Sequence, residues 1–273
     1  MKLTGERPIV GKTPDSLLAL HEAGYREVVA RLGPGRLLDL GCGLGDGSAQ
    51  FLHTARTVFG LDYHVATAAQ AAHAHPGLRT LCSDGARLSV KSRTFDWVCS
   101  SHLIEHFVDP QHHVSELARV LASTGEVIVI TPNAPADFEN PYHVHLFEPT
   151  ELYAMLGRYF QEVFVYGLDG DAAVKADFAQ RRRFANAILK VDVFKLRNRL
   201  PRSAYVGLHA AARRVAYPLI ARVNGRRGHT PAPITAAQFS LTTKIDPSTL
   251  VLFAVARKPR ATPAFPSPEH HVG

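Results

Sequence analysis

The sequence has no run of about 18 or more apolar residues, so no membrane-spanning helix is expected. Its opening residues, Met1 to Pro8, lack the apolar centre of a secretory leader, and none is expected. Cysteine is scarce. Cys42, Cys82 and Cys99 make no metal-ligand spacing, and their odd number argues against a disulfide framework. A reducing cytoplasm is the expected setting. No internal repeat is visible. Acidic residues are sparse in one segment only: residues 171–230 hold 14 Lys and Arg against 3 Asp and Glu, while the remainder holds 17 against 21. The formal net charge of +7 therefore belongs to that segment, and the rest of the chain is mildly acidic. What is present is ordinary for a globular protein, and 273 residues are enough to bury a full α/β core.

The hydrophobic pattern alternates short apolar runs with amphipathic ones. Residues 14–32 read as a helix closed by Gly33-Pro34-Gly35. Strands are expected at 36–40, 57–62, 78–83, 95–101, 126–131 and 160–168, with helices at 46–55, 64–75, 110–121 and 148–158. Alternation at this spacing means a doubly wound, mostly parallel α/β sheet of the Rossmann-like kind. Residues 170–239 break the pattern and read as a basic helical insert, with helices near 174–200 and 203–223 and a Gly/Pro linker at 224–237. A last strand is expected at 250–256, followed by a proline-bearing tail from 259 to 273 that reads as disordered. The divisions expected are a cap helix at 1–34, a core at 35–169 with 240–258, the insert and the tail.

The densest signal is Leu37-Leu38-Asp39-Leu40-Gly41-Cys42-Gly43-Leu44-Gly45-Asp46-Gly47. It is a strand running into a glycine turn where the backbone can approach a ligand, with Asp46 placed to cap the helix after it. An acidic residue at the end of the next strand, about 20 residues on, suits a ribose, and Asp62 stands there. Nicotinamide and flavin sites follow Gly-x-Gly-x-x-Gly, and this chain has no glycine at 46. The string Leu-Asp-Leu-Gly-Cys-Gly-x-Gly resembles the first motif of class I S-adenosylmethionine-dependent methyltransferases, and the resemblance extends through most of residues 14 to 168. It implies a seven-stranded sheet whose last strand is antiparallel, here with the insert between strands 6 and 7. It also implies S-adenosylmethionine as cofactor and S-adenosylhomocysteine as product. Implied cofactor residues are Asp39, which orders the loop, Gly41 and Gly43 through their amides, Asp62 with Tyr63 at the ribose, Asp84 and Gly85 at the adenine, and Ser101 at the methionine end.

Ser101-His102-Leu103-Ile104-Glu105-His106-Phe107-Val108-Asp109-Pro110 resembles the segment after strand 4 in a large subset of these enzymes. His-x-x-Glu-His also occurs in zinc proteases, but there it lies inside a long helix, whereas here it follows a strand and meets Pro110. Tyr142-His143-Val144-His145-Leu146-Phe147 resembles a string found in methyltransferases of glycan assembly, and His21 with Tyr25 resembles the His-x-x-x-Tyr helix of the same subset. An alcohol acceptor is a weak nucleophile until its proton is removed, and a neutral histidine suits that task near pH 7. His143 is the first candidate base and His106 the second, with Glu105 beside them. His21, Tyr25, His102, Tyr142 and His145 are candidate acceptor contacts. Mg2+ is a candidate ion near a sugar, although no carboxylate pair is evident and no metal ligand is assigned.

The expected activity is O-methylation of a polar small molecule, a sugar or oligosaccharide precursor. The alternatives are C- or N-methylation of a quinone, lipid or other metabolite, and a catalytically silent cofactor-binding partner protein. The insert reads as a lid, a homodimer interface, a substrate-binding element or a peripheral contact with an anionic membrane. Arg181-Arg182-Arg183 between Phe178 and Phe184 suits RNA, but no RNA-binding module accompanies it, so nucleic acid is not expected as a partner.

Overall fold

A computed structural model describes residue 11 and residues 13–54, 57–137, 142–191 and 233–260, with side chains of the helix that ends at 191 described through residue 183. The elements are α1 (Asp15–Val29), β1 (Arg36–Leu40), α2 (Asp46–Leu52), β2 (Thr57–Asp62), α3 (Val65–Ala74), β3 (Arg79–Cys82), β4 (Phe95–Ser101), α4 (Pro110–Val120), β5 (Leu121–Pro132), α5 (Pro149–Gly157), β6 (Phe160–Gly170), α6 (Ala172–Val191), β7 (Phe239–Thr242) and β8 (Val251–Pro259). Short 3-10 turns stand at Ile104–His106 and Ala236–Gln238.

All eight strands join one sheet in the order β3-β2-β1-β4-β5-β8-β6-β7. The pairs from β3 to β5 are parallel, and β8 runs antiparallel to both β5 and β6. Side chains alternate across the sheet with period two. Leu37, Ile128 and Ile130 face one side, where Ala19, Leu20 and Ala23 of α1, Phe51 of α2 and Val174 of α6 pack. Leu38, Leu40, Val127 and Val129 face the other, against Val114 and Leu117 of α4 and Leu152 and Leu156 of α5. β1 is buried on both faces, which is why it reads as a continuous apolar run.

Against the seven strands expected, the described residues hold eight. β7 is only four residues long and pairs antiparallel with Gly167–Gly170 at the end of β6, a length too short to stand out from the linker before it. Residues 122–125, between the expected helix at 110–121 and strand at 126–131, are absorbed into β5, which leaves α4 directly at Leu121 and shifts register against β4 between Phe95 and Trp97. Asp46 does not cap α2. Gly45, at φ 89°, occupies that position, and Asp46 is the first helical residue. α4 is capped by Asp109, which accepts from the Gln111 amide at 3.0 Å, with Pro110 in the first turn. Of the insert, α6 and residues 233–239 are described. The expected helix at 203–223, most of the linker and the tail from 261 lie outside the described residues. No helix among the described residues is long and apolar enough to cross a membrane.

Candidate active site

The strand order reverses between β1 and β4, each continued outward by chain on opposite sides, and ligand crevices in open α/β sheets form beyond the carboxyl ends of strands at such a point. Here a cavity of about 520 Å³ opens, within the usual range for a small-molecule site. Gly41 and Gly43 after β1, Asp62 and Tyr63 after β2, Asp84 and Gly85 after β3, and Ser101 after β4 all line it.

The glycine loop is fastened from below. Asp39 is fully buried and accepts from the Ser48 hydroxyl at 2.5 Å and the Tyr25 hydroxyl at 3.2 Å. Burial pushes its carboxyl up to about 7, against the lowering effect of those two donors. Tyr25 thus serves the loop: its ring lies where a Cβ on Gly47 would collide. Gly41 and Gly43 adopt φ of 74° and 57°, a region that favours glycine. The Gly41 amide, expected to face a cofactor, instead donates to the Leu61 carbonyl at 2.8 Å, as does the Cys42 amide at 3.0 Å. These bonds tie the loop to β2 and leave Gly41 to shape the cavity wall.

Asp62 is buried at the end of β2, and its Oδ1 accepts from the His64 amide at 2.9 Å. Tyr63 beside it is exposed. Asp84 both lines the cavity and closes its own turn, accepting from the Ala86 amide at 2.8 Å. Gly85 lies under Phe107, whose ring would sit 3.1 Å from any Cβ there. Ser101 Oγ is buried without a hydrogen-bond partner, a polar atom aimed at whatever fills the cavity.

A histidine cluster continues from this end. His102 follows β4 in the left-handed region, φ 51°, held by its amide on the Ile130 carbonyl at 2.8 Å. Its ring lies 4.1 Å from that of His21 on α1, and both line the cavity with His106. Behind them Glu105 is fully buried, with Oε2 accepting from the Thr131 hydroxyl at 3.0 Å. His102 Nδ1 lies 3.5 Å and His143 Nε2 3.8 Å from Glu105 Oε1. Burial would raise the Glu105 carboxyl, but the His102 contact and the charges of His102, His143 and His106 outweigh it and hold it below the ordinary carboxylate range. Burial lowers His21 well below the ordinary value, with His102 adding to the effect. His143 goes the other way: burial would lower it, but Asp137, 2.7 Å from Nδ1, and Glu105 raise it.

His143 does not itself line the cavity; it stands behind His106, ring centroids 5.1 Å apart. One expected acceptor contact is engaged elsewhere: His145 turns to Glu151 of α5, Nε2 to Oε1 at 2.8 Å. Tyr142 is not among the residues lining the cavity, and its backbone carbonyl lies 3.2 Å from His106 Nδ1. Three contributors went unrecognised in the sequence. Asp137 orients His143, and Thr131 holds Glu105. His113 links Ser100 Oγ at 2.9 Å to the Gly85 carbonyl at 2.8 Å. Asp137 had a signal, an acidic residue between strand 5 and His143. His113 had none, since a histidine on an amphipathic helix does not announce what it reaches.

Residues 38–129 match a family model described as a methyltransferase domain. A probable S-adenosylmethionine-dependent methyltransferase of Mycolicibacterium smegmatis is 33% identical over 163 residues, 57% of this chain and 63% of that protein. The chain spans less than two thirds of the length of the curated relatives it matches. An S-adenosylmethionine-dependent methyltransferase structure from Thermotoga maritima superposes with a TM-score of 0.56 at 14% identity, covering 89% of this chain and 91% of that one. The cyclase SpnF superposes with a TM-score of 0.55 at 17% identity over 88% and 82%. At these identities the structures share the fold alone, and a fold hosts more than one reaction. S-adenosylmethionine is the cofactor of a domain of this kind, and the residues present fit it: a buried strand-end carboxylate at Asp62, a glycine cradle without side chains, and an unpartnered hydroxyl at Ser101.

Proposed function

We propose that this chain is an S-adenosylmethionine-dependent O-methyltransferase acting on a hydroxyl of a polar small molecule, a sugar or short oligosaccharide. The supporting observation is that His21, His102 and His106 line the cofactor-type crevice, with Glu105 and His143 standing behind them. Bound at Asp62, Asp84 and Ser101, the cofactor supplies a methyl group on a sulfonium, which leaves as a neutral thioether and needs no acid.

The acceptor hydroxyl does need a base. Asp137 holds His143 at Nδ1, which directs the lone pair of the neutral ring to Nε2. The raised His143 pKa suits proton removal near neutrality, where a base combines availability with driving force. His106, between His143 and the cavity, is the second candidate. Ser101 Oγ and His102 Nε2, buried without hydrogen-bond partners, favour a ligand rich in hydroxyls. A reducing cytoplasm is the setting we infer, in keeping with Cys42, Cys82 and Cys99 standing outside any disulfide.

Transfer of labelled methyl to a panel of sugars, partly methylated glycosides, phenols, quinone precursors, amines and RNA tests the proposal. A methylated glycoside supports it. Transfer confined to an amine or a carbon acceptor overturns it, and cofactor binding with no turnover on any acceptor favours the silent-partner alternative. His143→Ala is expected to keep cofactor affinity and lose about 10² to 10⁴-fold in rate.

A further inference from the structure

Glu105 poses a problem that methyl transfer does not solve. It is fully buried, and Oε1 has only long contacts, 3.5 Å to His102 Nδ1 and 3.8 Å to His143 Nε2, with no partner in good hydrogen-bond geometry. A buried carboxylate oxygen needs donors or positive charge, because leaving it bare costs several kcal/mol. Among the described residues its ion-pair neighbours are the histidines His102 and His143, with no lysine or arginine.

Two histidines converge on it with fixed orientations. One ligand atom each from Glu105, His106 and His143 can be chosen so that all three lie within 4.8 Å of one another. The two rings meet edge to face at 69°. His143 Nδ1 is held by the Asp137 carboxylate at 2.7 Å and His106 Nδ1 by the Tyr142 carbonyl at 3.2 Å. An acceptor at Nδ1 keeps the proton of a neutral ring there and the lone pair on Nε2. Such carboxylate and carbonyl partners are the usual outer supports of metal-ligating histidines. The backbone is pinned as well: the Val144 and His145 amides both donate to the Glu105 carbonyl, at 2.9 and 3.1 Å.

We propose that Glu105, His106 and His143 form a binding site for one divalent transition-metal ion, of the Zn2+, Co2+, Mn2+ or Fe2+ class. Two imidazoles with one carboxylate is a donor set these ions accept and Mg2+ or Ca2+ does not prefer. Ligand atoms around such an ion stand about 3 to 3.5 Å apart, so the three side chains close by roughly an ångström on binding. Three protein ligands leave a position for water or a ligand hydroxyl, and His106 borders the cavity where an acceptor would sit. The ion would take the His143 lone pair that the proposed base uses, so the two readings separate in experiment.

The test titrates the chelator-stripped full chain with Co2+, followed by visible absorption and by metal quantification after dialysis. One ion per chain is expected, with weak ligand-field bands and no thiolate charge-transfer band. Glu105→Gln and His143→Ala, each still binding S-adenosylhomocysteine, are expected to weaken binding at least about tenfold. His145→Ala and Cys82→Ser are expected to retain it. No stoichiometric binding, binding unchanged in Glu105→Gln and His143→Ala, or binding lost with Cys82→Ser overturns the site. Inhibition of methyl transfer by Co2+, reversed by chelator, is expected with His143 as base. Metal-dependent activation alongside binding keeps the site and removes His143 from the base role.

Discussion

His113 shows how a single side chain carries a site it never touches. Burial lowers its pKa to about 4, so the ring is neutral; Nδ1–H then donates to the Gly85 carbonyl, and Nε2 accepts from the Ser100 hydroxyl. The adenine-side loop and the end of β4 are thereby tied through one ring, which also stacks on Phe107 at 4.7 Å. His113→Ala leaves two buried polar groups bare, at about 1–3 kcal/mol each. A melting curve is expected to show that loss and calorimetry a weaker cofactor affinity. Asp39 makes the opposite pH statement. Its folded pKa of about 7 lies above the ordinary 3.8, so the folded state holds a proton that the unfolded state releases. Stability therefore falls as pH rises from about 4 to 7 and levels off above. Between pH 5 and 7.5, wild type is expected to lose about 2 kcal/mol more than Asp39→Asn, read from paired thermal melts.

Among the elements, α6 is the instructive one. Its Arg181-Arg182-Arg183 run read as a basic face suited to RNA, but Arg181 is buried. Its guanidinium donates to Ser16 Oγ of α1 at 2.9 Å, lies 3.7 Å from Asp177 and stacks over Phe178 at 4.8 Å. It is a strut between α6 and α1, whereas Arg182 and Arg183 are exposed. Arg181→Ala is expected to cost about 1–3 kcal/mol through lost packing and an unpaired Ser16. Arg182→Ala and Arg183→Ala are expected to stay within about 0.5 kcal/mol. Equal melting temperatures in all three variants would remove the strut. At the carboxyl end of β5 Asn133 does related work, its Nδ2 donating to the Asp246 and Thr249 carbonyls at 3.1 and 2.9 Å, which fixes the entry to β8 beside β5.

At the scale of the whole molecule, the sheet sets the division of labour. In its parallel half the loops after β1, β2, β3 and β4 line the crevice, while β8, β6 and β7 extend the other edge antiparallel. α1 crosses between the parts, contributing Tyr25 to the loop support, His21 to the cavity wall and Arg26 to the Ala236 and Phe239 carbonyls at 2.6 and 2.8 Å. α6, through Arg181 on Ser16, and the approach to β7 thus both meet α1, so a change in α1 reaches both.

The sequence by itself determined the strand and helix alternation, the glycine loop with Asp39 and Asp62, and the gathering of histidines after strands 4 and 5. These follow from local periodicity, backbone freedom at glycine and strand-end position, all of which are properties of neighbouring residues. It could not show β7, because four residues carry too little pattern, nor that Ser123–Gly125 lie within β5, because they form an irregularity between the pairs at Leu121 and Glu126 that only the sheet defines. Only the tertiary structure decided that Tyr25 supports the loop, that His145 turns to Glu151, and that Asp137, Thr131 and His113 hold the site's carboxylate and rings in place. Those roles depend on which buried donors and acceptors meet across elements far apart in the chain, and satisfaction of buried polar groups is settled only once the sheet has brought them together.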